Sequence, residues 1–278
     1  MMLIDVHAHI DYYRDEDMPA VLSEIRDTPI FTVSAAVDPA AYTRNQMLAK
    51  DCPYILPTFG VHPLQAPKYA NRLDELCSGI DHTAMISEVG LDHFRAKDPN
   101  EYPAQRAVLG FFLAAAREQD KIVTLHTKAA EAEALELLDE HRIRRAIIHW
   151  YQGPLDILEE LVARGYYFSI GFEVLTIPHV QEIASAVPIK QLLTETDNPA
   201  ARSRMSSQPM PLLVRQVVEG LAALRETTSA EIESTVEANW LRLIDGDDRF
   251  AEVRNLMVSA KSELPPAAGV AGLARGDE

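Results

Sequence analysis

The sequence predicts an α/β protein built as a closed (β/α)8, or TIM, barrel with an extra C-terminal helix. Three observations predict it. Short apolar runs rich in β-branched residues alternate with helix-like segments, and the alternation repeats about eight times over 278 residues, a usual size for such a barrel. No GxGxxG opens a helix, which sets aside the rival open, doubly wound sheet.

Each unit is readable in order. LIDVH (3–7) is the first strand, and PAVLSEIRD (19–27) follows with Val21, Leu22 and Ile25 at helical spacing. The next strands are FTVSAAV (31–37), ILPTFGV (55–61), TAMISEV (83–89) and IVTLH (122–126). AAEAEALELLDEHR (129–142) is a helix by propensity and by period. AIIHW (146–150) leads into PLDILEELVARG (154–165), which starts on a proline and stops at Gly165. YYFSI (166–170) and QLLTETD (191–197) are the last strands, and PLLVRQVVEGLAALRE (211–226) is the last crossover-type helix. SAEIESTVEANWLRLI (229–244) is the extra helix, after which RFAEVRNLM is expected to add a turn or two. The prediction is one domain over 1–261 and a Pro-, Gly- and Ala-rich mobile tail over 262–278.

The bulk numbers bound the function. Net charge is −16, which excludes a broadly basic surface that coats nucleic acid but allows a local cationic patch. Two cysteines, Cys52 and Cys77, form neither a CxxC nor a disulfide framework. The longest apolar segment, VLGFFLAAA (108–116), is too short to span a bilayer, and the N-terminus lacks a basic region before its apolar run. The expectation is a cytoplasmic protein without a membrane partner.

In a barrel of this kind the C-terminal ends of the strands carry the site. There the sequence places His7 and His9, His62, Glu88 and Asp92, His126, His149, and Glu195 with Asp197. A period of two turns His7 and His9 to one face. Five of the nine histidines fall at or just past predicted strand ends. Singly, HxH is a weak signal, His126 is a plausible core residue, and Asp197 before Asn198 and Pro199 is a plausible turn residue. Their shared register is what makes a metal site of them. Imidazole and carboxylate without thiolate suit a divalent ion such as Zn, Fe or Mn. The number of donors exceeds what one tetrahedral ion needs and suits two ions bridged by a carboxylate. His82, His141 and His179 fall on predicted helices or loops and read as surface residues.

Taken in order, DVHAHID, GVHP, SEVGLD, LHTK, HWYQG, TETDNP and NWLRLI resemble the TatD-type metal-dependent hydrolases of the amidohydrolase-like superfamily, over residues 2–244. The resemblance implies a binuclear site of two divalent ions (Zn, Mn, Mg, Fe or Ni). His7, His9 and Asp197 would hold one ion, Glu88 would bridge, and His126 and His149 would hold the other. It also implies departures. An arginine commonly follows the fifth-strand histidine, where Lys128 stands here; paired tyrosines often follow GLD, where His93 and Phe94 stand; and Trp150 and Tyr151 follow His149.

The function this implies is a divalent-metal-dependent hydrolase. The expected activity is that of a phosphodiesterase or deoxyribonuclease using a water activated by two metals, with Asp197 and Glu88 as catalytic residues. His62, Lys128 and Trp150 are the expected substrate contacts, and short or single-stranded DNA or a small phosphoester or amide is the expected substrate. The alternatives are a hydrolase of a C–N or C–O bond in a small metabolite with the same binuclear site, and a partner-dependent member of a larger complex. Asp5, Asp92 and Glu195 are candidates to orient ligand imidazoles.

Overall fold

Eight parallel strands form the wall of the molecule: β1 (Leu3–Ala8), β2 (Ile30–Ala35), β3 (Ile55–Thr58), β4 (Ile86–Asp92), β5 (Val123–Lys128), β6 (Ala146–His149), β7 (Tyr167–Ile170) and β8 (Leu192–Thr194). They are seen in a computed structural model that describes residues 2–199 and 210–263. Nearly every strand position is buried, as a parallel sheet covered on both faces requires. The expected (β/α)8 barrel is the fold.

The ladder falls into two arcs, β1–β2–β3 and β4 through β8. A single parallel bridge, Phe59 to Ile86, links the arcs on one side. On the other side the bonds lie just above the strand ends. The Asp197 amide donates to the His7 carbonyl at 2.9 Å, and the His9 amide to the Asn198 carbonyl at 2.7 Å. Asp5 clasps this seam from inside, accepting from the Thr196 amide at 3.0 Å and its hydroxyl at 2.6 Å. The β3–β4 connection is also built differently from the others. Only short pieces, α3 (Ala66–Tyr69) and α4 (Cys77–His82), connect those strands, after α1 (Met18–Asp27) and α2 (Pro39–Asp51).

The remaining helices are α5 (Tyr102–Gln119), α6 (Glu131–Glu140), α7 (Leu155–Ala163), α8 (Pro178–Ala186), α9 (Leu213–Leu224), α10 (Ser229–Leu243) and α11 (Ala251–Glu263). Local chemistry starts several of them. Asp38 caps α2 through the Ala41 amide at 2.9 Å, and Thr228 and Glu231 form a reciprocal capping box on α10. Inside α10, Trp240 is fully buried against Phe31, with ring centroids 5.5 Å apart. Asn239 donates to the Leu192 carbonyl at 2.7 Å and so fastens α10 to β8.

One expectation is corrected. The segment after the extra helix forms α11, a helix of 13 residues, where the sequence predicted a turn or two. Over 251–259, where burial is described, its buried residues are Val253 and Met257, too few to read as an amphipathic pattern, and Phe250 ahead of it packs edge-on against Trp240 at 6.1 Å. α11 runs through Glu263, past the predicted start of the tail at Ser262, and residues 264–278 lie outside the described residues. At the N-terminal end of the barrel, Asp247 pairs with Arg145 at 2.8 Å and with Arg249 at 2.6 Å. Arg249 also donates to the carbonyls of Gln119 and Asp120 at 2.9 and 2.6 Å, which ties α5 to the start of α11.

Candidate metal centre

His7, His9, His62, Glu88, His126, His149 and Asp197 come together at the C-terminal mouth of the barrel. All are buried except His62, which is nearly so. Two irregularities in the sheet aim them. The β1–β2 register slips between Asp5 and Ala8, around His7, and the β4–β5 register slips between Ile86 and Val89, around Glu88. Such bulges re-aim a side chain without ending the strand. Two glycines let the backbones approach closely enough. A Cβ on Gly60 would meet the Glu88 backbone nitrogen at 2.5 Å, and one on Gly90, whose φ is 153°, would run into the His126 carbonyl. Those are the glycines of GVHP and SEVGLD.

Glu88 divides its two oxygens between two sets of donors. Oε2 faces His7 Nε2 at 3.6 Å and His9 Nε2 at 3.5 Å. Oε1 faces His126 Nδ1 at 2.7 Å, His149 Nε2 at 3.4 Å and His62 Nε2 at 3.7 Å. Asp197 Oδ1 completes the first set, 3.8 Å from His7 Nε2 and 3.2 Å from His9 Nε2. An ion bound tetrahedrally with bonds of about 2.1 Å holds its ligands about 3.4 Å apart. The separations in the first set, 3.2 to 3.8 Å, match that spacing. His7 also keeps both ring nitrogens, and Glu88 its Oε2, buried without a hydrogen-bond partner. Buried polar atoms left so are rare in a native interior unless something else fills the gap. The donor set fits a divalent cation.

The converging triplets are His7–His9–Asp197, His7–Glu88–His149 and His62–Glu88–His126. His7 therefore joins the side expected to hold only His126 and His149, stacking on His149 with ring centroids 3.6 Å apart.

Partners behind the rings fix which nitrogen points inward. His9 Nδ1 donates to the Ala35 carbonyl at 2.9 Å, and His149 Nδ1 to Glu195 at 2.8 Å, leaving each Nε2 lone pair for the centre. Ser169 donates to the same Glu195 oxygen at 2.6 Å. Asp92 accepts from His126 Nε2 at 3.0 Å, which turns Nδ1 inward. His62 is opposite in kind. Its Nδ1 accepts from the Leu64 amide at 3.1 Å, so the neutral ring carries its proton on Nε2. Burial pushes its pKa down to about 3, so at neutral pH it offers an N–H donor. Burial would raise the Glu88 carboxyl, but the imidazoles, His62 foremost, hold it well below the usual carboxylate range. Burial likewise opposes, and His9 outweighs, in keeping Asp197 low.

Of the residues proposed to orient imidazoles, Glu195 and Asp92 do so. Asp5 instead takes the His7 and Thr196 backbone amides, and burial pushes its carboxyl up to about 7. Lys128 lies 4.3 Å from the centre of the Trp150 ring and donates to the Trp150 carbonyl at 2.8 Å and to Gln152 at 3.1 Å. His93 stacks on Tyr102 at 3.6 Å, outside the cluster. Among the cleft-lining residues not predicted from sequence are two with functional side chains beside the donors: Tyr12, whose ring stacks on His9 at 5.2 Å, and Arg95. Neither sits in a recognisable motif.

The family model for TatD related DNase matches residues 4–245. The chain belongs to this family. It is 27% identical over 247 residues to an uncharacterized metal-dependent hydrolase of Haemophilus influenzae, covering 86% of this chain and 97% of the relative. It is 25% identical to the putative deoxyribonuclease TATDN3 of Mus musculus, covering 99% and 98%. The crystal structure of YJJV, a TatD homolog from Escherichia coli, shares the fold with a TM-score of 0.78 at 24% identity, covering 87% and 97%. A metal-dependent hydrolase is the class these findings support, and the clustered histidines and acids are its candidate metal ligands. Among the described residues no helix is long and apolar enough to cross a membrane.

Proposed function

We propose that the protein is a phosphodiesterase that uses two divalent ions and acts on DNA, preferring short or single-stranded substrates. The observation that carries the reading is the division of Glu88, one oxygen toward His7 and His9 and the other toward His126 and His149. His7, His9 and Asp197 would hold one ion, His126 and His149 the other, and Glu88 both. Two such ions supply a nucleophilic water at neutral pH and offset charge on a reacting diester. The chain's own residues do the rest. Asp197 is held ionised at the cleft, where it accepts a proton from the attacking water and passes it to the departing oxygen. The His62 N–H donates to a non-bridging phosphate oxygen. Lys128, committed to Trp150 and Gln152, places positive charge at the mouth and fixes the Trp150 indole. The net charge of −16 disfavours long duplexes and leaves room for short strands held locally.

The test is metal analysis followed by nucleotide release from single-stranded DNA, comparing wild type with Asp197→Asn. The expected loss is at least ~100-fold. Turnover equal to wild type removes Asp197 from the proton path. Absence of nucleotide release, with activity on an amide or lactone panel, moves the protein to the C–N or C–O reading.

A further inference from the structure

A cavity of about 500 Å³ opens beside the metal cleft, itself about 150 Å³, and the two share Arg95 and Trp150 in their walls. We propose that this neighbouring cavity is a subsite for a nucleobase-type aromatic ring, with Arg95 gripping the phosphate that links the ring to the reacting diester. The proposal rests on the phosphodiesterase reading and names the part of the substrate beyond the scissile bond.

Four observations carry it. The first is volume: about 500 Å³ is in the range that takes a small organic ligand, whereas the metal cleft alone takes little more than a phosphate group. The second is the character of the walls. Phe94 stands 64% exposed at the lip, and Trp150 and His179 add further ring surface. A lone exposed phenylalanine means little. One beside a cavity that adjoins a buried cluster of metal-type ligands offers a stacking face, and every nucleobase has one.

The third is charge. Among the described residues the Arg95 guanidinium is exposed and has neither a hydrogen bond nor an ion pair, whereas Lys128 spends its ammonium on Trp150 and Gln152. Lys128, two residues after the fifth-strand histidine His126, also lacks the planar fork that meets two phosphate oxygens. Arg95, from the loop after β4, presents that fork at the boundary of the two cavities.

The fourth is that the lip is built in place. Asp92 accepts from His126 with one oxygen, and with the other accepts from the backbone amides of Phe94 and Arg95, at 3.0 and 2.6 Å. Gln105 pins Asp92 in turn, accepting from its amide at 2.8 Å and donating to its carbonyl at 3.2 Å. One carboxylate therefore positions both a candidate metal ligand and the ring-binding lip. Across the cavity, Trp150 holds a left-handed φ of 45°, a costly conformation for a bulky residue, next to His149.

The test is calorimetric titration of the manganese-loaded protein with deoxyadenosine 5′-monophosphate, deoxyribose 5-phosphate and inorganic phosphate. In wild type the nucleotide is expected to bind at least about 10-fold more tightly than the sugar phosphate, the gain one stacked base supplies. Phe94→Ala should erase most of that gain and leave sugar-phosphate binding unchanged. Arg95→Ala should weaken nucleotide and sugar phosphate alike by about 10-fold, with Arg95→Lys recovering only part. Both residues are exposed, so misfolding is not expected, and circular dichroism checks it. Equal binding of nucleotide and sugar phosphate, binding of neither, or a ring-dependent gain that survives Phe94→Ala overturns the subsite. If DNA is not cut while the nucleotide still binds through Phe94 and Arg95, the subsite stands and the nuclease reading falls.

Discussion

At the N-terminal end of the barrel, opposite charges touch: Asp247 lies 2.8 Å from Arg145 and 2.6 Å from Arg249. At the C-terminal end one set of donors is held apart, although Glu88 Oε1 still touches His126 Nδ1 at 2.7 Å. Four donor pairs around His7, His9, Glu88 and Asp197 stand 3.2 to 3.8 Å from one another, and their positions are kept by groups behind them, such as the Ala35 carbonyl and Glu195. Both ends bury ionisable groups, which costs stability unless each charge is compensated. The first end compensates within the protein. The second is spaced for something from outside. One end therefore serves the fold, and the other gathers the candidate metal ligands at the end where this architecture carries its sites.

Substitutions at each end test that division, and the largest effect is expected at the mouth. Glu88→Gln should lower metal-dependent hydrolysis at least ~1000-fold, because one residue serves both donor sets. Added manganese at about 100 times its Kd should stabilise wild type by about 2.7 kcal/mol, and Glu88→Gln should lose most of that gain in a thermal melt. A variant that keeps both the turnover and the metal-induced shift would erase the contrast between the ends.

Asp247→Ala is the matching cut at the other end. It removes the carboxylate that Arg145 and Arg249 share while both keep backbone carbonyls, and the expected loss is about 2 kcal/mol of stability, with metal content and kcat of the folded fraction unchanged. Denaturant titration in EDTA measures the first and metal analysis the second. Loss of metal without loss of stability would reverse the assignment. Smaller again is Glu195→Gln. Its carboxylate orients His149 without facing the first donor set, so metal affinity should fall about 10- to 100-fold while the melt of the metal-free protein moves little.

The contrast also explains what was legible in the sequence. Barrel order, strand positions and the donors at strand ends follow from alternation and from a shared register. That is why His7, His9, Glu88, His126, His149 and Asp197 could be named together and do converge. α11 was underestimated because the buried residues described over 251–259, Val253 and Met257, make no readable stripe. α2 buries only Ala41, Tyr42 and Asn45, so its period is equally faint. Asp247 was invisible for another reason: its partners Arg145 and Arg249 lie on both sides of it in the chain, one of them 102 residues away, and no spacing rule joins them. Arg95 was missed because what marks it, a free guanidinium between two cavities, is a property of space and not of pattern. His62 was named as a substrate contact from its motif alone; that it offers N–H and not a lone pair depends on the Leu64 amide.

The smallest effect expected is in acid. Burial would raise the Asp247 carboxyl, but the hydrogen bonds of Arg249 and Arg145 outweigh it and hold the group below the ordinary carboxylate range. A carboxyl whose folded pKa is depressed stabilises the fold fully above its unfolded value, about 3.9, and loses that contribution as pH falls through the folded value. The stability gap between wild type and Asp247→Asn should therefore be flat from about pH 5 to 7 and narrow below about pH 4. Thermal melts of both proteins in EDTA measure it, and the mouth groups, common to both, cancel in the difference. A gap that stays constant down to pH 2.5 would mean that Asp247 stabilises by packing and not by its charge, and the N-terminal end would then owe its stability to something other than paired ions.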